Sequence, residues 1–249
     1  LILACSLKRS ILMTVFSTSY RRNLTPVLAL MLISLNVGSV QAHNPVDYLE
    51  VFAAKAGAPV EHDVELACEG LFERRTLDLA GPTHFSASVG CSGKSAPKSG
   101  VFIHWYAIAD TPDQGDSQKV KTLDFLRNSK NLSLEIDTTP KFFLSATQLL
   151  SSGEPAPVPE GLDHYLAFAV KDAPSLEKEV AITGGLNASQ KNRELGKPRY
   201  ICLPAHEWHH DEEFPVSHRL TCFVAYEMDK ESGSKASKVS TLDQFGLNQ

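Results

Sequence analysis

The run His206-Glu207-Trp208-His209-His210-Asp211-Glu212-Glu213 packs more groups able to hold a metal or move a proton than any other stretch of the chain. It contains the pattern H-E-x-x-H, in which two histidines one helical turn apart bind zinc and the glutamate polarises an attacking water. That chemistry needs a helix to bring His206 and His210 onto one face. Pro204 and Pro215 bracket the run and leave space only for a short, very polar helix. No further ligand follows at a recognised offset, because Glu227 falls inside an apolar block. The run is therefore read as a solvated polar loop with Trp208 and Phe214 tucked onto a sheet, so that Glu207→Gln is expected to be neutral. Its alternative use is as a ligand set, His206, His209, His210 and Asp211, taking up zinc or copper. No other cofactor is indicated. Gly-x-Ser-x-Gly, a phosphate loop and a dinucleotide fingerprint do not occur. Glu212 and Glu213 are adjacent and cannot flank a glycosidic bond. Trp105, Tyr106, Tyr165 and Trp208 would suit a sugar-stacking platform, but aromatics in strands more often serve as core.

The elements that must position these residues are set by an internal repeat. Pro82-Thr-His-Phe85, Pro140-Lys-Phe-Phe143 and Pro198-Arg-Tyr-Ile201 recur at intervals of about 58 residues. Each is followed by a second block: His104-Trp-Tyr-Ala-Ile108, His164-Tyr-Leu-Ala-Phe168 and Cys222-Phe-Val-Ala-Tyr226. This alignment makes His104 and His164 equivalent. A third block closes each unit, at Val120–Phe125, Val180–Leu186 and Val239–Phe245, and Thr76-Leu-Asp78 echoes Thr241-Leu-Asp243. The blocks are short, rich in Phe, Tyr, Val and Ile, and bounded by Gly, Pro, Asn, Asp and Ser, which is strand chemistry. The expected fold is all-β: a single domain of three to four pseudo-repeats of about 58 residues, in antiparallel sheets forming a sandwich or barrel. Unit boundaries fall near 60–81 (partial), 82–139, 140–197 and 198–249. One short N-terminal helix is expected, capped by Asn44, with Pro45 at its first position, Val46, Leu49, Phe52 and Ala53 on one face, and Gly57 ending it.

Residues 24–40 form a long apolar run behind Arg21 and Arg22, and Val40-Gln41-Ala42 offers small residues around a cut before His43. That is the pattern of a secretory signal peptide over residues 1–42, with a mature β-repeat domain over 43–249 and no stable membrane span after cleavage. Met13 fits a natural start. Residues 1–42 hold Lys8, Arg9, Arg21 and Arg22 and no acid, so their loss takes the formal net charge from -5 to -9. A chain so acidic has no basic surface for phosphate backbones, and nucleic acid is not an expected partner. Export places the protein in the periplasm or outside the cell, with an extracytoplasmic partner. The remaining cysteines, Cys68, Cys91, Cys202 and Cys222, are even in number, which in an oxidising compartment favours disulfides. Three connectivities are possible in principle; pairing of neighbouring strand blocks favours Cys68–Cys91 and Cys202–Cys222.

Arg199-Tyr-Ile-Cys-Leu-Pro-Ala205, His209-His-Asp-Glu-Glu-Phe-Pro215 and the closing Ser240-Thr-Leu-Asp-Gln-Phe-Gly-Leu-Asn248 resemble a bacterial family of secreted domains of unknown function. That family carries repeated Leu-Cys-x-Pro, His-x-x-Cys-Tyr and Asp-Gln-Phe-Gly blocks. His218 lies one residue too far from Cys222, and Phe223 stands where the family has Tyr. The resemblance implies a β-rich exported module without assigning an activity. The expected function is an exported, non-enzymatic binding or scaffolding module. Its alternative is a metal-binding protein or metal-dependent hydrolase using the loop His206–Glu213. Amino-terminal sequencing of exported protein is expected to begin at His43; a sequence that retains residues 24–40 would contradict the signal-peptide reading.

Overall fold

Proline governs the architecture, because it cannot donate to a sheet ladder and must sit at an edge or a bulge. The computed structural model describes residues 2–7, 47–61, 63–96, 100–109, 115–128, 130–150, 158, 162–217, 221–229 and 238–248. Its strands in chain order are β1 (Ile2–Leu7), β2 (Tyr48–Ala53), β3 (Val64–Cys68), β4 (Phe72–Leu77), β5 (Leu79–Cys91), β6 (Phe102–Ile108) and β7 (Ser117–Asp124). After a single 3-10 turn at Phe125–Arg127 come β8 (Lys130–Leu149), β9 (His164–Asp172), β10 (Lys178–Gly184) and β11 (Asn187–His209). The last four are β12 (Glu212–Phe214), β13 (Thr221–Met228), β14 (Thr241–Asp243) and β15 (Gly246–Asn248).

Pro82 in β5, Pro140 in β8 and Pro198 in β11 stand opposite Tyr106, Phe168 and Tyr226 on the return strands, and the register slips on both sides of each proline. A slip of this kind bends a strand and lets it change partners. β8 pairs with β7 before its proline and with β6 after it, keeping β9 on both sides of it. β11 likewise pairs with β10 first and with β9 afterwards, keeping β13 on both sides of its proline. The result is a closed antiparallel ring in the order β8, β6, β5, β2, β1, β13, β11, β9 and back to β8. The outer ends of the long strands, the β3–β4 hairpin and the β14–β15 hairpin lie off the ring.

Strand alternation sends side chains to two separate cores. The ring interior holds Leu49, Val51, Ile103, Trp105, Leu144, Tyr165, Cys202, Phe223 and Ala225. A barrel of about eight strands is just wide enough for side chains to fill it, and each large apolar group buried there stabilises by about 1.5–3 kcal/mol. Trp105 meets its polar need inside by donating from Nε1 to Ser86 Oγ at 2.6 Å. The outer wall carries a second core, including Leu66, Phe72, Leu134, Ile136, Phe168, Ile182, Leu195 and Val224, buried under the off-ring strands.

Two expectations need correcting, and a third is not shown. Residues 48–53 are strand β2, paired with β5 from Leu49↔Ser88 to Ala53↔His84, and not the middle of a helix. Tyr48, Leu49, Glu50 and Val51 are all buried, so this short run carries no periodicity to separate helix from strand. The proposed cap and first turn at Asn44, Pro45 and Val46 lie outside the described residues, as do the apolar run 24–40 and the cut after Ala42. Next, His104 and His164 are not equivalent. Tyr106, not Ile108, faces Pro82, so Phe102 occupies the place of His164 and Cys222. Finally, the expected disulfides are not shown among the described residues, where Cys68, Cys91, Cys202 and Cys222 are all buried. Cys202 pairs with Phe223 and joins the inner core while Cys222 joins the outer one, so the two sulfurs leave opposite faces of the sheet. Burial first, and then the neighbouring Cys222, push the Cys202 thiol well above its ordinary range. These thiols are expected to resist alkylation in the native protein and to react fully after unfolding without reductant. Peptide mass mapping checks this, and a pair that stays unreactive until reduced would contradict it.

Candidate functional site

β11 runs through the H-E-x-x-H pattern as a strand. Its side chains alternate: Ala205, Glu207 and His209 are buried, and His206 and Trp208 are partly exposed. The strand ends in a two-residue turn at His210 and Asp211, both with positive φ (50° and 63°), which returns into β12. Paired positive φ values are the geometry of the tight hairpin turn that matches strand twist, and His and Asp tolerate that region better than most residues. The four candidate ligands are thereby split. His209 points inward, with its ring centroid 3.9 Å from that of His210. His206 leaves by the other face, stacks on Trp208 and lies 3.8 Å from Glu213. Arg74 covers the Trp208 ring at 4.2 Å. His210 and Asp211 are exposed in the turn. Among the described residues no group of three or more His, Cys, Asp or Glu is arranged to hold a metal ion.

Glu207 is the largest departure from expectation. It is wholly buried (0% exposed) instead of sitting on a solvated loop, because β11 pairs with β3 on one side and β12 on the other. One carboxylate oxygen accepts from Gln244 Nε2 at 2.6 Å, and the other lies 2.6 Å from His164 Nδ1. Gln244 belongs to the closing hairpin β14–β15, which docks on the end of β8 through Thr241↔Leu149 and Leu242↔Gln148. Its neighbour Asp243 is also fully buried at the carboxylate. Asp243 Oδ2 accepts from His104 Nδ1 at 2.7 Å and from the Tyr106 hydroxyl, and its Oδ1 accepts from the Phe245 amide at 3.0 Å. Thr241 Oγ1 lies 3.0 Å from the far nitrogen of His104. Phe245 completes the dock, its ring 4.9 Å from Tyr106, 5.2 Å from His209 and 6.2 Å from Phe143.

The same tie occurs once more among the described residues. The Tyr226 hydroxyl donates to Asp124 Oδ2, Asp124 Oδ1 accepts from the Leu126 amide at 2.9 Å, and Arg127 Nε stands 3.3 Å from the carboxylate. Burial, and then the Asp124 charge, push the Tyr226 phenol well up. Tyr106 and Tyr226 face corresponding prolines, and Asp124 and Asp243 both close a Thr-Leu-Asp block. Phe168, facing Pro140, has no hydroxyl to donate.

Beside the dock, a cavity of about 580 Å³ opens at the rim between β8, β9 and the closing hairpin. Ser145, Leu162, His164, Phe214, Leu242 and Gln244 are among its lining residues, and no Lys or Arg is among the described ones. Sequence patterns did not point to His104, Tyr106, Thr241, Asp243 or Gln244 as a constellation. The signal was present in the Thr-Leu-Asp blocks that end at Asp124 and Asp243, both matched by a tyrosine in another unit.

The family described as a repeat of unknown function (DUF7450) matches residues 102–249. The chain belongs to the DUF7450 family. That span begins with the first residue of β6 and contains every member of the dock, from His104 to Phe245. No curated protein and no solved structure matches the chain.

Removing Asp243 leaves His104 and Tyr106 without their acceptor. Asp243→Ala is expected to destabilise by about 2–3 kcal/mol in urea unfolding. Glu207→Ala and Gln244→Ala should be non-additive, with a coupling of about 0.5–1.5 kcal/mol in a double-mutant cycle. Additive losses would show that the 2.6 Å contact contributes nothing.

Proposed function

We propose that this protein is an exported, non-enzymatic binding module, and that the cavity beside His164 is where it takes a small uncharged ligand. The observation that carries this reading is the commitment of the acids and histidines around the cavity to one another. Glu207 accepts from Gln244, its other oxygen lies 2.6 Å from His164 without a well-aligned hydrogen bond, and Asp243 is held by His104 and Tyr106. A general acid or base must reach its substrate, and here Glu207 and the Asp243 carboxylate are wholly buried. What they build is a rigid wall. The space in front of that wall presents Ser145, His164, Ser217 and Gln244 as polar groups among Leu162, Phe214, Pro215 and Leu242. Val158, an exposed large apolar side chain, borders it. A mostly apolar concavity with a few convergent polar groups is the usual form of a small-molecule site. The described lining offers hydroxyl, imidazole and amide groups, which suit an uncharged ligand, and its apolar wall argues against a strongly hydrated one. Export is supported by the signal-type segment, and a binding role outside the cytoplasm agrees with the acidic balance of the chain.

A thermal-shift screen of uncharged sugars, polyols and amides tests the reading. At least one compound is expected to raise the melting temperature of the wild type, and Ala146→Trp, which fills the cavity from β8, should abolish the response. An equal shift in both proteins, or no compound binding more tightly than about 1 mM, would remove the cavity from consideration.

A further inference from the structure

Among the described residues, only β1 joins β2 to β13, and so closes the ring. Ile2, Leu3 and Ala4 pair with Glu50, Leu49 and Tyr48, while Ile2 through Leu7 pair with Tyr226 through Thr221. β1 is antiparallel to both neighbours, so β2 and β13 run parallel to each other. A start at Met13 and cleavage after Ala42 each give a chain without residues 2–7. We infer that in such a chain the gap between β2 and β13 is a docking slot, filled by strand addition from an extended, uncharged segment of another polypeptide. The inference rests on the export reading above.

Two features keep the slot from simply closing. Trp105, Tyr165 and Phe223 fill the interior and are almost fully buried, so they set the circumference of the ring. Interiors packed at crystal-like density do not shrink by one strand width. Direct pairing of β2 with β13 would also put a parallel ladder into a ring whose pairs are otherwise antiparallel. An open slot therefore presents two rows of backbone N–H and C=O groups, a ready template for another strand. The walls state what that strand must be. The inward row offers Leu49, Phe223 and Ala225, and the outward row Tyr48, Val224 and Tyr226, all buried. Glu50, opposite Ile2, and Glu227, next to Tyr226 on β13, are the charges at this end of the walls, and both disfavour an acidic residue there. The fitting segment spans about six residues, is apolar on both faces, and runs antiparallel to β2 and β13.

The test uses the full chain expressed with its export segment. Intact mass is measured first, and retention of residues 1–42 would overturn the inference through failure of the export reading, before any peptide is added. The matured chain is then titrated with a peptide of sequence Ile-Leu-Ala-Cys-Ser-Leu carrying solubilising ends, beside a control with proline in the fourth place. One-to-one binding is expected, with a rise in melting temperature of about 5–10 °C at a peptide concentration a hundredfold above Kd. The proline peptide should not bind. Equal behaviour of the two peptides, or no binding by either, would overturn the slot itself. A matured chain that is dimeric by light scattering would overturn it in favour of a second copy as occupant.

Discussion

A carboxylate taken out of water is tolerated only where hydrogen bonds replace its hydration. Asp243 meets that condition with His104, Tyr106 and the Phe245 amide, and the organisation of this face of the molecule follows from it. Once Asp243 is seated, Gln244 is delivered to Glu207 and Phe245 to the space between Tyr106 and Phe143. Glu207 in turn fixes His164 at the rim of the cavity. Three consecutive residues of one short hairpin thus hold side chains from β6, β8, β9 and β11. The recurrence of the tie at Tyr226 and Asp124 shows that it belongs to the repeated unit, since the two tyrosines face corresponding prolines.

The prolines and the ties act at different levels. The prolines decide where each long strand leaves one partner for another, which makes a ring with covered outer walls. The ties decide which peripheral hairpin settles on which stretch of wall. Between them they separate two cores that never mix: one inside the ring around Trp105 and Tyr165, the other outside around Leu134, Phe168 and Val224. The cysteines reflect the same separation, because Cys202 belongs to one core and Cys222 to the other.

Much of the barrel is legible in the chain because its strands alternate with strong turn residues and its prolines recur at one interval. β2 was not, since Tyr48 to Val51 are buried on both faces and show no period. Block alignment also placed His104 two positions from its true counterpart, because the first hairpin is shorter than the others and only cross-strand register reveals the slide. The site was harder still. Local spacing pointed to His206 and His210 as partners, which presupposes a helix, whereas strand alternation separates them and turns Glu207 inward. The partners that count, Asp243 with His104 and Gln244 with Glu207, lie 139 and 37 positions apart in the chain. No short-range pattern encodes such pairs; only the echo of Thr-Leu-Asp hinted at them.

The closing hairpin has a bearing on how the chain is born. Asp243 follows His104 by 139 positions and Gln244 follows Glu207 by 37, and until the later residues emerge the earlier ones lack the groups that make their burial tolerable. Pairing across such long sequence separations is slow, because loop-closure entropy is lost before contacts reward it. At synthesis rates of about 5–20 residues per second, a nascent chain spends many seconds with this face unable to close. Throughout that time the His104 and Tyr106 side chains wait for the carboxylate that later ties them.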